Sequence, residues 1–167
     1  LAEAAALVSV PIYEWQHVAL VPPGHPLAKL QKTPGRLTLK DLGRHPIVTY
    51  EAHFSGRSRI DAAFAAAGIE PSIVLEAIDA DVIKTYVATG MGVGIVAGVA
   101  VDPRSEPMIV LPCGHLFGSN VTRLAVKRDA YLRGFVYAFI ELLAPGWDKL
   151  RLEQAFAAPR PPAEGHR

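Results

Sequence analysis

A chain of 167 residues is long enough for one domain, or for two small lobes, with a substantial hydrophobic core. Hydrophobic residues make up 50% of it and charged residues 20%, and 17 Lys and Arg against 16 Asp and Glu leave a formal charge of +1, without the clustered basic excess typical of a nucleic-acid-binding domain. The single cysteine, Cys113, excludes an internal disulfide and favours a reducing compartment, and no apolar run reaches the roughly 18 residues that a membrane span needs.

The N-terminal region predicts a strand that leads into a turn. Residues 13–21 are dominated by aromatic and β-branched side chains, and the Pro-Pro-Gly sequence at 22–24 ends the run. The chain begins at Leu1 rather than Met, and no charged segment precedes the apolar stretch at 4–10. This start argues against a signal peptide and favours a chain that begins inside a domain.

An alternation of helices and strands follows. A short helix at 37–42, with Thr38 as its cap, cannot extend far because Pro46 follows it. Short connections between alternating strands and helices indicate a parallel, right-handed α/β arrangement. The predicted elements are a strand at 47–50, a helix at 57–67, a strand at 72–77, a helix from Asp79 or Asp81 to Gly90, and a strand at 93–97.

Beyond Pro103 the alternation stops. Strands are predicted at 108–111 and 121–126, helices at 131–143 and 147–156, and a polar, proline-rich, disordered tail at the end. Strands and helices on either side of the α/β segment predict a two-lobed clamp. In such clamps the ligand lies where the lobes meet, near strand carboxyl ends and helix amino ends.

The start of the 57–67 helix is the strongest candidate for a binding site. The first turn of a helix leaves backbone N–H groups unpaired and carries partial positive charge. Gly56 lets a ligand approach this backbone closely, Ser55 can donate to an anion, and Arg57 can add charge. The alternative is that Ser55 only caps the helix, and the residues alone leave both interpretations open.

Other motifs give no specific support for catalysis. The glycines of the run at 90–94 join a helix to the following strand, the reverse of a dinucleotide-binding loop, and therefore predict a helix end and close packing. The histidines, at 17, 25, 45, 53, 115 and 166, include no i, i+4 pair, and no Gly-x-Ser-x-Gly motif is found. We predict no catalytic residue, no metal ligand and no cofactor. The residues alone leave open whether Trp15 is a core residue or lines the wall of a cleft.

The order and spacing of these motifs resemble the CysB-like branch of LysR-type transcription regulators from about Leu1 to Phe156. HPL and the glycine run recur across LysR proteins, whereas FSGRS and DADVIKTYV are more specific to the CysB-like group. The resemblance rests on YEWQH at 13–17, HPL at 25–27, VTY at 48–50, FSGRS at 54–58, DADVIKTYV at 79–87, GMGVGI at 90–95 and AVDP at 100–103.

This resemblance implies an α/β, periplasmic-binding-protein-like fold of two α/β subdomains, the first of them incomplete in this chain. Residues 1–19 would end the first subdomain and form the crossover strand, and 20–114 would form the second subdomain. Residues 115–157 would return to the first, and 158–167 would be the disordered tail. The part of the first subdomain that supplies the other half of the family's anion site would lie outside this chain.

The implied function is effector sensing in a cytoplasmic regulator of sulfur assimilation or sulfonate use. Sulfate, thiosulfate, a sulfonate-related anion or an acetylated serine would bind between the subdomains. Ser55 falls where the family usually has a threonine hydroxyl, Trp15 would line the cleft, and Thr49 and Gly56 would border it. DNA would be contacted only through an N-terminal winged helix-turn-helix domain that this chain lacks. The complete regulator would be a tetramer without a membrane anchor.

Three alternatives stay open, and the first is a ligand outside sulfur metabolism. Glu51, Ala52 and His53 replace a loop that is often neutral in the family. A carboxylate there would oppose a divalent anion and a protonated His53 would favour it, which leaves room for a ligand outside sulfur metabolism. The shared fold also permits a solute-binding protein of a transporter. A small acyltransferase or hydrolase is the third alternative.

Overall fold

The computed structural model describes residues 7–104, 107–127 and 130–157. They form two compact units, one of Glu14–Asn120 and one that combines the described parts of Leu1–Tyr13 and Val121–Arg167. The subdomain segments inferred from the sequence have nearby but different boundaries, and their assignment to these units stays a prediction. The predicted tail at 158–167 lies outside the described residues.

Most predicted elements are confirmed, β2 and β4 with the predicted bounds and the others with shifted ends. A 3₁₀ segment at Pro26–Lys32, a 3₁₀ turn at Gly98–Ala100 and helix α4 were not predicted. The strands are β1 (Leu7–Val21), β2 (Ile47–Tyr50), β3 (Ile73–Ala77), β4 (Val93–Ala97), β5 (Ile109–Pro112) and β6 (Ser119–Lys127). The helices are α1 (Leu39–Gly43), α2 (Ser55–Ala66), α3 (Ala80–Ala88), α4 (Gly114–Phe117), α5 (Gly134–Leu143) and α6 (Lys149–Ala157).

The sheet of the larger unit is mixed. β2 pairs in parallel with β3 and with β4, which confirms the predicted α/β arrangement of this segment. β1 pairs antiparallel with β4 and with β5, so the strand order is β3-β2-β4-β1-β5, and β6 also pairs with β1. The antiparallel insertion of β1 was not foreseen, because a buried strand has the same residue pattern whichever way its neighbours run.

Helices cover both faces of this sheet. Ile60 and Phe64 of α2 are buried in one core cluster, and Ile83 and Val87 of α3 in another. Leu20 of β1 belongs to the α3 cluster, while its two neighbours along the strand belong to the α2 cluster, as strand alternation requires. The parallel connections place the amino ends of both helices at the edge where the parallel strands end.

The glycine run between α3 and β4 is explained by a helix end and by packing, as predicted. Gly90 follows α3 with a φ of 82°, in the left-handed region that favours glycine. A Cβ on Gly94 would lie 2.7 Å from a methyl group of Val87, closer than side chains pack. The absence of this side chain allows α3 to lie directly against β4.

The smaller unit has its own core, formed by Val10, Ile140 and Leu152. Arg123 of β6 donates to Ser9 of β1, from Nε to the hydroxyl (2.8 Å) and from Nη2 to the carbonyl (2.9 Å). One side of α5 is apolar and exposed, including Phe135 at 69% and Leu142 at 82%. None of the helices in the described ranges is both long and apolar enough to cross a membrane.

Candidate functional site

The junction between β2 and α2 lies within the larger unit. β2 ends at Tyr50, a short loop follows, and α2 begins at Ser55, two residues before the predicted start. The helix cap is Phe54, which provides no side-chain hydrogen bond, and the first turn holds no acidic residue. The N–H groups at the start of α2 therefore lack a capping side chain, and the partial positive charge of the helix end is not offset within that turn.

Ser55 occupies the first position of α2 and not the cap, which excludes the interpretation that it only caps the helix. Its side chain is exposed, and its hydroxyl makes no hydrogen bond within the described part of the chain. Its carbonyl accepts a hydrogen bond from Ser58 Oγ at 2.7 Å. An uncommitted hydroxyl beside a helix amino end can donate to an anion.

Gly56 brings the first turn of α2 directly onto β1. A Cβ at this position would lie 3.1 Å from both His17 Nε2 and Trp15 Cη2, which is tighter than ordinary packing. Trp15 is half-buried, and its ring meets the His17 ring edge-on with centroids 5.1 Å apart. Because Trp15 is only half-buried, it has one surface in this contact and another that a ligand can reach.

His17 is a buried polar residue of the junction that the sequence interpretation missed. It is 0% exposed, and neither ring nitrogen makes a hydrogen bond of normal geometry with a described residue. Burial lowers the pKa of His17 to about 4, the charge of Arg59 acts in the same direction, and the backbone of Gly56 opposes the shift. The ring is therefore neutral at pH 7. Its position two residues after Trp15, on the same face of a strand, was the available signal.

Thr49 and Tyr50 hold the carboxyl end of β2 to β4 through their side chains. The backbones of the two strands pair at the first two residues of each. Beyond these, Thr49 Oγ1 donates to the carbonyl of Ile95 (2.9 Å), and the N–H of Ala97 donates to Tyr50 Oη (3.2 Å). Thr49 is fully buried, so its hydroxyl donates within the sheet rather than to solvent.

Arg57 faces the protein interior and is 7% exposed. Nε donates to Asp61 (2.7 Å), and Nη1 donates to the carbonyl of Tyr50 (2.7 Å) and to the carboxylate of Glu76. Burial works against the charged form, but the hydrogen bonds and charges of Glu76 and Asp61 outweigh it and raise the pKa of Arg57. The predicted contact of Arg57 with a ligand stays a prediction. These bonds favour a positioning role that joins α2 to β2 and β3, and the i, i+4 spacing to Asp61 was a signal for it.

The loop before α2 carries an exposed carboxylate, that of Glu51, beside an exposed imidazole, that of His53. Glu51 Oε2 lies 3.3 Å from His53 Nδ1, with side chains 40% and 68% exposed. The His53 ring also lies against Phe54, with centroids 4.6 Å apart. The carboxylate that would oppose an anion therefore lies beside an imidazole that offsets its charge when protonated.

The junction offers hydrogen-bond donors for binding. Of the five residues predicted for the site, Trp15 and Gly56 are brought into contact, Ser55 lies exposed at the helix start, and Thr49 and Arg57 turn inward. In the described ranges, no three His, Cys, Asp or Glu residues are grouped to hold a metal ion. Burial raises the pKa of the Cys113 thiol to about 12, which keeps it protonated at neutral pH.

Residues 2–148 match the family model described as the LysR substrate binding domain. The chain is 53% identical to the HTH-type transcriptional regulator CysB of Burkholderia cenocepacia over 150 residues, which are 89% of this chain and 47% of the relative. It is 47% identical to the regulator SsuR of that organism (83% and 44% covered) and 43% identical to the regulator Cbl of Escherichia coli (84% and 43%). The chain spans about half the length of these curated relatives, which are regulators and not enzymes.

Solved structures show the same mixed α/β fold. The cofactor-binding domain of the Cbl transcriptional regulator aligns with a TM-score of 0.79 at 40% identity, covering 92% of this chain and 66% of that one. The effector binding domain of QuiR in complex with shikimate aligns with a TM-score of 0.69 at 19% identity, covering 86% and 66%, and shows the fold alone. The predicted periplasmic-binding-protein-like fold is thereby confirmed.

Proposed function

The chain belongs to the LysR substrate binding domain family, and from this premise we propose that it is the effector-sensing portion of a LysR-type regulator of sulfur assimilation or sulfonate use. Its effector is a small anion such as sulfate, thiosulfate or a sulfonate, or an acetylated serine. Similarity to regulators named CysB, SsuR and Cbl supports the sulfur assignment. The fold does not choose the ligand, because a fold neighbour binds shikimate.

The observation that carries the proposal is the start of α2, where no side chain caps the helix and the Ser55 hydroxyl is exposed. Backbone N–H groups, the helix dipole and a hydroxyl together favour an oxyanion. Gly56 removes the side chain that would separate a ligand from this backbone.

Neutral donors, not a buried cation, select the ligand in this proposal. Arg57 is already paired with two carboxylates, and His17 is uncharged at neutral pH. Trp15 contributes a ring surface beside Gly56 that suits the apolar part of an organic effector. A dianion, the monoanion N-acetylserine and the zwitterion O-acetylserine would all be bound through hydrogen-bond donors, with the Glu51–His53 pair adjusting the charge of the loop.

In the complete regulator, the effector acts by binding one arrangement of the protein more tightly than another. The ligand can shift that equilibrium only by its difference in affinity for the two arrangements. A helix-turn-helix domain outside this chain makes the DNA contacts, the regulator is cytoplasmic, and it assembles as a tetramer. The relatives' names, which describe HTH-type transcriptional regulators, support the helix-turn-helix domain, whereas the location and the tetramer follow only from the resemblance to LysR-type regulators.

Thermal unfolding with a ligand panel tests the proposal. The panel contains sulfate, thiosulfate, a sulfonate, O-acetylserine and N-acetylserine. It is measured on the chain extended upstream to a whole effector-binding domain, with the unmodified sequence, Ser55→Ala and Ser72→Ala. Ser72 is an exposed serine just before β3 and serves as the matched control. A ligand present at one hundred times its Kd adds roughly 2.7 kcal/mol to the free energy of unfolding.

We expect one ligand to raise the Tm of the unmodified protein and of the control Ser72→Ala. The same ligand should raise the Tm of Ser55→Ala much less. A shift that survives in Ser55→Ala would move the site away from the start of α2. No shift with any panel member would remove the sulfur assignment and leave a LysR sensor of another ligand.

A further inference from the structure

A second concave surface lies in the larger unit, near the residue at which β2 begins. It is a cavity of about 470 Å³ between the 3₁₀ segment Pro26–Lys32 and α1. We call it the basic pocket, and its polar lining consists of Lys29, Arg36, Asp41, Arg44 and His45. His45 comes just before β2 and α2 comes just after it, so the basic pocket and the β2–α2 junction lie at opposite ends of this strand.

Three permanent cations and one carboxylate line the basic pocket. Lys29 and Arg36 form no ion pair with any residue of the described ranges. Arg44 forms one long ion pair, 3.9 Å from Asp41, and its side chain is 74% exposed. Asp41 is already engaged at the start of α1, where Oδ2 accepts from the N–H (3.0 Å) and the hydroxyl (2.6 Å) of Thr38. The lining therefore has an excess of two positive charges, and its carboxylate is held by the helix cap.

The rest of the lining is apolar and fixed by the core. Leu27 is 6% exposed and belongs to the α2 core cluster, against which Leu30 also packs. The ring of His45 meets that of His25 edge-on, with centroids 4.5 Å apart. Pockets of roughly 300–1,000 Å³ with an apolar base and a few convergent polar groups are typical of small-molecule sites.

We propose that the basic pocket is a second ligand site, for a small organic molecule that carries a doubly charged tetrahedral oxyanion on a compact apolar group. Arg36, Arg44 and Lys29 hold the oxyanion, with the arginines able to donate two parallel hydrogen bonds each. Leu27, Leu30 and Pro26 contact the apolar group. The proposal does not rest on the function assigned to the β2–α2 junction, because none of its residues belongs to that junction.

The concave shape favours a small ligand over nucleic acid. A duplex needs a broad surface with many cations along it, and this chain as a whole has a formal charge of only +1. Lys29, Arg36 and Arg44 instead line one small, open concavity beside buried hydrocarbon. Charge and shape together fit one anionic headgroup with an attached apolar part.

Calorimetric titration with phenyl phosphate tests the proposal, with inorganic phosphate, sulfate, neutral benzyl alcohol and a short DNA duplex as comparison probes. The variants are Arg36→Gln/Arg44→Gln, Lys32→Gln and Ser55→Ala. Lys32 ends the same 3₁₀ segment, is exposed, and does not line the pocket, so it is the matched charge control. The double variant removes two exposed guanidinium groups and leaves shorter, uncharged polar side chains in their place.

We expect phenyl phosphate to bind the unmodified protein, Lys32→Gln and Ser55→Ala alike, and the double variant at least about tenfold more weakly. Benzyl alcohol should not bind measurably, and in Ser55→Ala, where the start of α2 is altered, the inorganic anions should bind more weakly than phenyl phosphate. Binding that is lost in Ser55→Ala but kept in the double variant would assign the anion to the start of α2 and overturn the proposal. The proposal also fails if phenyl phosphate does not bind, or if only a DNA duplex binds in a manner sensitive to the double variant.

Discussion

Both ends of β2 carry arginine, but the arginines differ in their surroundings. At the carboxyl end, Arg57 is 7% exposed and bonded to two carboxylates and a carbonyl. At the amino end, Arg36 has no ion partner among the described residues and Arg44 has one long contact with Asp41. A buried, paired arginine contributes to the fold, whereas an exposed and unpaired one is available to an anion.

The difference also shows why residue type alone is a poor guide to a ligand site. Arg57 lies in one of the two motifs more specific to the CysB-like group and next to the helix start, and its charge is balanced within the fold. The arginines of the basic pocket lie in loops with no specific motif. Two measurements on the arginines test this contrast, and one on the buried His17 tests the carboxyl end of β2 further; they follow from the largest expected effect to the smallest.

Replacing Arg57 by alanine should lower the free energy of unfolding by about 3 kcal/mol, because it breaks a buried ion pair and leaves a carbonyl without its donor. The remaining carboxylates, Asp61 and Glu76, are 44% and 43% exposed, and their hydration keeps the loss near the lower end for such pairs. Urea unfolding measures the change. Arg59→Ala, an exposed arginine on the same helix, should change stability by less than about 0.5 kcal/mol. Equal losses in the two variants would contradict the structural role of Arg57.

Lowering the pH should destabilise the protein through His17. The unfolded ring takes up its proton near pH 6.5 but the folded ring only near pH 4, so the unfolded state binds more protons between these values and stability falls as the pH falls. The His17 contribution between pH 7 and pH 5 is about 2 kcal/mol. Urea unfolding measures how much the free energy of unfolding falls between the two pH values. This fall should be larger in the unmodified protein than in His17→Gln by the amount given. If both proteins lose the same stability, His17 is not the group that titrates.

Arg36→Gln and Arg44→Gln should each change the free energy of unfolding by less than about 0.5 kcal/mol, because exposed charges with weak or no ion pairs contribute little. The same urea experiment measures this, and Thr38→Ala provides a local reference. That change removes the Thr38–Asp41 capping box of α1 and should cost about 1 kcal/mol. If either arginine variant loses as much stability as Thr38→Ala, these side chains support the fold and are not free to bind a ligand.

Much of the α/β segment could be predicted from sequence because its signals are local. Pro46 before β2 and the glycines before β4 bound those strands closely, and both were predicted with the observed ends. The start of α2 was placed late, because Phe54 is the cap and makes no side-chain bond that a capping motif would reveal. A serine before a glycine suggested a cap, while the fold made Ser55 the first helical residue.

The site was predicted less completely because its contacts are distant in sequence. Ser55, Gly56 and Trp15 were predicted to face a ligand, which stays a prediction. The contact of Gly56 with His17 joins residues 39 positions apart and follows only from the packing of α2 on β1. The inward direction of Arg57 depends on Glu76 of β3, which no local pattern connects to it. Local chemistry indicated where a ligand could bind, and tertiary packing determined which side chains are available to it.

The side-chain bonds at the carboxyl end of β2 have an evolutionary consequence. Backbone ladders have one spacing, but a strand end held by a threonine hydroxyl and a tyrosine hydroxyl has a spacing set by the lengths of those side chains. Replacing Thr49 by valine, or Tyr50 by phenylalanine, removes one of these bonds, while the backbone pairing at Ile47 and Val48 that sets the register is kept. The strand end beside α2 can thus diverge by single substitutions while the framework of the sheet is kept.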